Sequence, residues 1–252
     1  PTPVLENDQP DLSYHGYAIT DLYRVDPRMG SNEELRALSR EARAHGIGLV
    51  MDVVLNHIGS EHWWMRDPPS RDWINNGGRY TPTNHRRTTI QDPYAAPGDR
   101  AGFTDGWFVE TMPDLNQRQP QLARYLIQNT LWWIEYAGLA GIREDTFGYA
   151  DADFLSAWAE AVMSEYPDFG MVGEEWSPNP AIVAHWQRGK SNPGGHVPHM
   201  TSMMDFPNHI ALRDALLRPD SWESGWVPLY EGLANDFLYP DPAALVVFAE
   251  NH

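Results

Sequence analysis

Three short segments of this chain carry acids in fixed order: Asp52-Val-Val-Leu-Asn-His57, Gly141-Ile-Arg-Glu-Asp145 and Val172-Gly-Glu-Glu-Trp176. The first closes a nearly continuous apolar run, Ile47 to Leu55, of the kind a strand buried on both faces of a parallel sheet requires. Helical periods alternate with these segments. Ser31-Asn-Glu-Glu34 forms a capping box in front of Leu35, Leu38 and Ala42 on one helical face, which predicts a helix from about 31 to 45 that Gly46 ends. Repeated βα units with acids at strand ends favour a (β/α)8 barrel, whose functional groups collect at the C-terminal rim of the strands. A doubly wound sheet competes less well, because no Gly-rich phosphate fingerprint follows any predicted strand.

Pro120 opens a second helix carrying Leu122, Leu126, Trp133 and Tyr136, and Gly138 closes it. A strand is expected near 139–145, a helix at 152–165 with Phe154, Leu155, Trp158 and Val162 inward, and another strand near 169–175. Less regular strands fall near 201–206 and 245–250. Between 58 and 111 the periodicity lapses into Trp, Pro, Gly and a paired Arg86-Arg87, too long a stretch for a loop in a compact domain. The expected organisation is therefore barrel over 1–57, a small inserted subdomain over 58–111, and barrel again over 112–252.

With 18 basic and 35 acidic residues the chain carries a formal charge of −17, spread along its length. Nucleic acid and anionic membrane surfaces, which need a basic face, are poor partners. No apolar run reaches the ~18 residues of a bilayer span. There is no Cys, hence neither a disulfide frame nor a thiolate metal site. The 11 Trp and 11 Tyr suit sugar faces, although core packing is the commoner use of such rings.

On a strand, residues two apart share a face, so Arg143 and Asp145 point together and Glu144 points away. An arginine beside Asp145 is expected to hold that carboxyl ionised, as a nucleophile requires; a purely structural ion pair is the alternative. In the doublet Glu174-Glu175 alternation separates the two acids without saying which faces inward. Asn56 and His57 are neutral hydrogen-bonding groups suited to a sugar hydroxyl. Two carboxylates on neighbouring strands meet the needs of glycoside hydrolysis, one attacking the anomeric carbon and the other protonating the leaving oxygen. No Gly-x-Ser-x-Gly elbow and no HExxH, CxxC or EF-hand spacing offers another chemistry.

These segments resemble those of the α-amylase family, glycoside hydrolase family 13. The likeness is carried by Tyr14-His-Gly-Tyr17 with Thr20-Asp21, by Asp52 to His57, by Met112-Pro-Asp-Leu-Asn116, by Gly141 to Asp145 with Gly173-Glu174, and by Phe248 to His252. The resemblance implies that Asp145 is the nucleophile and Glu174, not Glu175, the acid/base. It further implies that Tyr17 stacks under the sugar being cleaved and that His15, His57, Arg143 and His252 bind its hydroxyls or orient the acids. Asp52 and Asn56 become supporting residues at the strand end and the start of the insertion. The Met-Pro-Asp-Leu-Asn segment is similar to the cyclomaltodextrinase and neopullulanase subgroup, which implies an α-glucan or cyclodextrin substrate. No cofactor is required; calcium, common in amylases, has only Asn56 as a candidate ligand and no acidic loop.

Two departures from the family pattern stand out. Glu144 occupies a place usually apolar, and the family's third acid, which follows Asn-His, would come after His252. Only about five strands, the third to the seventh of a barrel, can be placed in residues 1–252, whereas closure takes eight. The expectation is that residues 1–252 are part of a longer polypeptide, or are completed by another segment, and a homo-oligomer is kept open beside it. A catalytically inactive glucan-binding scaffold and a glucanotransferase are the competing functions.

Overall fold

The computed structural model describes residues 3–7 and 15–251. Strand β1 (Leu5–Glu6) pairs antiparallel with β2 (Asp21–Val25), outside the main sheet. Helix α1 (Asn32–Ala44) starts as its capping box dictates: Ser31 Oγ accepts from the Glu34 backbone N–H at 3.2 Å. Its end uses both Gly46, at φ +75°, and Ile47, whose N–H donates to Ala42 O at 2.9 Å.

That stop corrects part of the expected strand. Ile47 belongs to the helix terminus and is exposed, and β3 begins only at Val50, running Val50–Val53. Leu38 is also exposed rather than inward, because α1 turns Leu35 and Ser39 toward the core, where Ser39 Oγ donates to Gly138 O at 3.0 Å.

The stretch 58–111, expected as an insertion, has no extended periodic element, only short 3-10 turns and helix α2 (Pro97–Thr104). Its tryptophans divide by depth. Trp64 packs edge-on against Trp73 at 4.7 Å and against Tyr125 at 5.2 Å, whereas Trp63 is exposed. Gly59 lets the chain enter this segment closely against Ala18: a Cβ there would lie 2.4 Å from Ala18 O.

The barrel pattern then resumes. Helix α3 (Pro120–Ala137) is capped by Gln119 and ends at Gly138, φ +63°. Strand β4 (Gly141–Glu144), helix α4 (Ala152–Glu165) and strand β5 (Gly170–Gly173) follow, then helix α5 (Pro180–Ala184), strand β6 (Ser202–Met203), helix α6 (Phe206–Leu217) and helix α7 (Val227–Leu233). The main sheet is parallel in the order β3-β4-β5-β6, with Asp52, Arg143 and Val172 in register across it. The segment expected as a strand near 245–250 contributes a single parallel bridge, Val246 to Met204. This open parallel sheet with its packed helices is part of a (β/α) barrel.

Buried polar groups lock the helix layer. Asn129 Nδ2 and Trp133 Nε1 both donate to Leu22 O at 2.8 Å, and Trp158 Nε1 donates to Thr130 Oγ1 at 2.9 Å, joining α4 to α3. In a dry interior such bonds fix how the elements meet, since leaving any partner unpaired costs more than the bond itself gains.

Candidate active site

The sheet hydrogen bonds continue one residue beyond the strand ends. Asp145 N–H donates to Val53 O at 2.9 Å and Glu174 N–H to Glu144 O at 3.1 Å. Their carboxyls therefore stand on fixed backbone at the rim. Arg143, two residues before Asp145 and on the same face, lies at the centre of the cluster. Its Nη1 donates to Asp52 Oδ1 at 2.8 Å and to Asp145 Oδ1 at 2.9 Å, and its Nη2 donates to Glu174 Oε1. Tyr17 OH donates to Asp52 Oδ2 at 3.0 Å and accepts from Arg143 at 3.2 Å. Glu174 Oε2 takes the Thr146 N–H at 3.1 Å. Thr146 sits at φ +49°, a costly left-handed conformation for a β-branched residue.

One guanidinium thus serves three buried carboxylates. Burial pushes the Asp145 carboxyl well up, the neighbouring Glu174 carboxylate adds to the rise, and Arg143 opposes it without prevailing. The expected downward pull of Arg143 on this acid is present, but burial outweighs it. Asp52 is also raised, first by burial, with Arg143 pulling it down.

Above the cluster opens a cavity of about 590 Å³. Of the residues singled out from sequence, His15, Tyr17, His57, Asp145 and Glu174 line it, with Arg143 and Asp52 supporting from below. His57 is buried with neither ring nitrogen bonded among the described residues, and burial lowers it to about 4, so it is neutral at pH 7. Asn56 lies apart, where its Nδ2 donates to buried Asp114 at 3.0 Å, joining the β3 exit to the Met112–Asn116 segment. The Asn56 Oδ1 has no partner among the described residues, and these hold no group of three acidic or imidazole side chains able to complete a calcium site around it. His252 and Tyr14 lie outside the described residues.

The cavity also recruits residues that sequence reasoning did not select: His85, Arg87, Phe108, Met112, Thr146, Tyr149 and Trp176. Arg87 comes from the insertion, and its Nη1 donates to Glu175 Oε1 at 2.7 Å. The two members of the Glu174-Glu175 doublet therefore have separate partners, Arg143 and Arg87.

Glu144 is fully buried on the opposite face of β4, and neither carboxyl oxygen has a hydrogen-bond partner among the described residues. Burial drives it far up, and the Asp145 charge reinforces the shift against Arg143. The folded state therefore holds a proton that the unfolded chain releases above its ordinary value of 4.5, so stability falls as pH rises from there toward the folded value. Glu144→Leu is expected to stabilise the chain by about 1–3 kcal/mol at pH 8 and by less at pH 5. Urea midpoints at the two pH values check this; a loss of stability at pH 8 would show that Glu144 has a partner.

Comparison with known proteins agrees with this geometry. The alpha amylase catalytic domain model matches residues 2–209. A cyclomaltodextrinase of Geobacillus thermopakistaniensis is 29% identical over 208 residues, covering 82% of this chain and 31% of that protein. An intracellular maltogenic amylase of Bacillus subtilis is 32% identical over 181 residues, covering 70% and 28%. The crystal structure of α-amylase from Geobacillus thermoleovorans, complexed with acarbose, superposes with a TM-score of 0.80 at 30% identity, over 100% of this chain and 50% of that one. The chain thus spans about a third of the length of these curated relatives and half of that solved structure. Family model, barrel geometry and paired rim carboxylates converge: the chain belongs to the α-amylase catalytic-domain family.

Proposed function

We propose that this site hydrolyses α-1,4-glucosidic bonds with retention of configuration, Asp145 acting as nucleophile and Glu174 as acid/base. The observation that carries the reading is that the two carboxyls, from successive strands, share the Arg143 guanidinium at the floor of the cavity. Such closeness favours the retaining separation of about 5–5.5 Å over the about 6.5–9.5 Å that an inverting pair leaves for water. In the first step an Asp145 oxygen bonds to the anomeric carbon while the glycosidic C–O bond breaks and Glu174, acting as the acid, gives its proton to the departing oxygen. In the second step Glu174 takes a proton from water, whose oxygen displaces Asp145 and restores the free enzyme.

Tyr17 and neutral His57 would receive the sugar ring and its hydroxyls, and His15 stands beside Tyr17 with ring centres 5.5 Å apart. The names of the relatives, cyclomaltodextrinase and maltogenic amylase, support cyclodextrins and short maltooligosaccharides as substrates. The test is to incubate the protein with 5-fluoro-α-D-glucosyl fluoride and map the glycosylated residue by mass spectrometry, alongside an assay of reducing ends released from β-cyclodextrin. A label on Asp145 is expected. A label on another residue, or no label together with no reducing ends, sinks the proposal.

A further inference from the structure

An arginine lining a cavity ordinarily announces an anionic ligand, but Arg87 is already committed. Its Nη1 is paired with buried Glu175 at 2.7 Å and its Nη2 donates to Tyr149 OH at 3.1 Å, while the guanidinium lies 5.6 Å from the Tyr149 ring centre. His85 Nδ1 meets the same phenol oxygen at 3.1 Å. These contacts hold the planar fork in one orientation and use two of its five N–H groups, leaving donors on a side chain that still borders the cavity. The charges around it disfavour an anion: Asp52, Asp145, Glu174 and Glu175 face only Arg87 and Arg143 among the described residues. What fits a pre-oriented, charge-compensated donor fork is a neutral ligand rich in adjacent hydroxyls.

Its position says which part of such a ligand. A line of rings runs along the wall from His57 to Phe108, centres 5.7 Å apart, and from Phe108 to Tyr149, 4.6 Å apart. Tyr17 is bonded to Asp52 on β3, whereas Arg87 is bonded to Glu175, the residue that follows Glu174 past the end of β5, so Tyr17 stands at the β3 end of the rim and Arg87 at the end where the acid sits. On the hydrolase reading, the sugar attacked by Asp145 lies toward Tyr17 and the unit released with the proton lies toward Arg87, beside the acid. We infer that Arg87, anchored by Glu175 and Tyr149, is a specificity-determining residue that donates hydrogen bonds to hydroxyls of the leaving-side sugar. The inference rests on the glucan-hydrolase reading of the site and adds to it a contact made by the insertion. Glu175 is the positioning residue, and its buried charge requires Arg87 in return.

Isothermal titration calorimetry with two probes tests it: maltotetraose, long enough to reach both sides of the cleavage point, and 1-deoxynojirimycin, which fills only the Asp145 side. Arg87→Met is expected to weaken maltotetraose about tenfold or more, the worth of a lost charge-assisted hydrogen bond, and to leave 1-deoxynojirimycin within about twofold. Because Arg87→Met strands the Glu175 carboxyl and can unfold the site, the same titrations are run on Arg87→Met/Glu175→Gln, which carries no stranded charge, and the same selective loss is expected. Arg87→Lys keeps the charge without the fork and should also lose maltotetraose selectively. Equal weakening of both probes, no weakening of either, or recovery of maltotetraose binding in the double variant overturns the inference and leaves the hydrolase reading standing. Failure of the unsubstituted protein to bind either probe overturns the glucan reading, and this inference with it.

Discussion

Asp145→Asn is expected to lower the release of reducing ends from β-cyclodextrin by about 10⁴-fold, the scale on which losing a nucleophile is felt when the remaining machinery is intact. The amide keeps the shape of the carboxyl and an oxygen able to accept from Arg143, which now donates to Asp145 Oδ1 at 2.9 Å, but it cannot bond productively to the anomeric carbon. Stability should hold or rise, since the change removes one of three carboxylates competing for a single guanidinium. A thermal midpoint at or above that of the unsubstituted protein therefore separates lost chemistry from lost folding. Glu174→Gln separates the two roles. It should impair cyclodextrin, whose leaving oxygen needs a proton, far more than a glucosyl fluoride, whose departing fluoride needs little help. Equal rates for Asp145→Asn and the unsubstituted protein would remove Asp145 from the mechanism.

What could be read from the sequence was whatever depends on local period and local chemistry. The capping box at Ser31, the left-handed stop at Gly138 and the two-residue alternation joining Arg143 to Asp145 are each set within a few residues, and each appears in the structure. Alternation also separated Glu174 from Glu175 but could not choose between them, because the choice is made by two arginines far off in sequence, Arg143 and Arg87. The insertion illustrates the limit most sharply. Arg86 and Arg87 are adjacent and chemically identical, yet Arg86 pairs with exposed Asp99 while Arg87 reaches Glu175 and Tyr149 inside the cleft. No period governs this segment, so its contribution to the cavity follows from tertiary packing alone. Trp176 was the accessible omission: it shares a face with Glu174, and that face borders the cavity. Exposed Leu38 and Ile47 show the converse, apolar residues whose spacing suggested burial but which a helix stop and a helix–helix contact turned outward.

Arg143→Met should destabilise the chain by about 3–5 kcal/mol at pH 7, the cost of leaving buried charges without their counter-ion. The side chain is close in length and apolar, so little packing is lost and the deficit is electrostatic. Without the guanidinium, Asp52, Asp145 and Glu174 retain only the Tyr17 hydroxyl and the Thr146 N–H as nearby donors among the described residues, too few for three charges. The carboxyls already raised by burial, Asp52 and Asp145, then rise further. Between the ordinary carboxylate value of 3.8 and its raised folded values the variant's folded state binds more protons than its unfolded state, so its stability falls as pH rises through that window and its deficit is smallest near pH 4 and larger at pH 7–8. Urea denaturation across that range gives the slope directly. Adding Asp52→Asn to Arg143→Met should recover part of the loss, although in the unsubstituted background the same change removes a partner of the arginine. That reversal of sign is the signature of coupling through one shared charge. Arg143→Lys should fall between the two, because a single ammonium cannot reach carboxyls on both β3 and β5 as the planar fork does. A urea midpoint for Arg143→Met that stays unchanged from pH 4 to pH 8 would mean that the three acids are neutralised by something other than this residue.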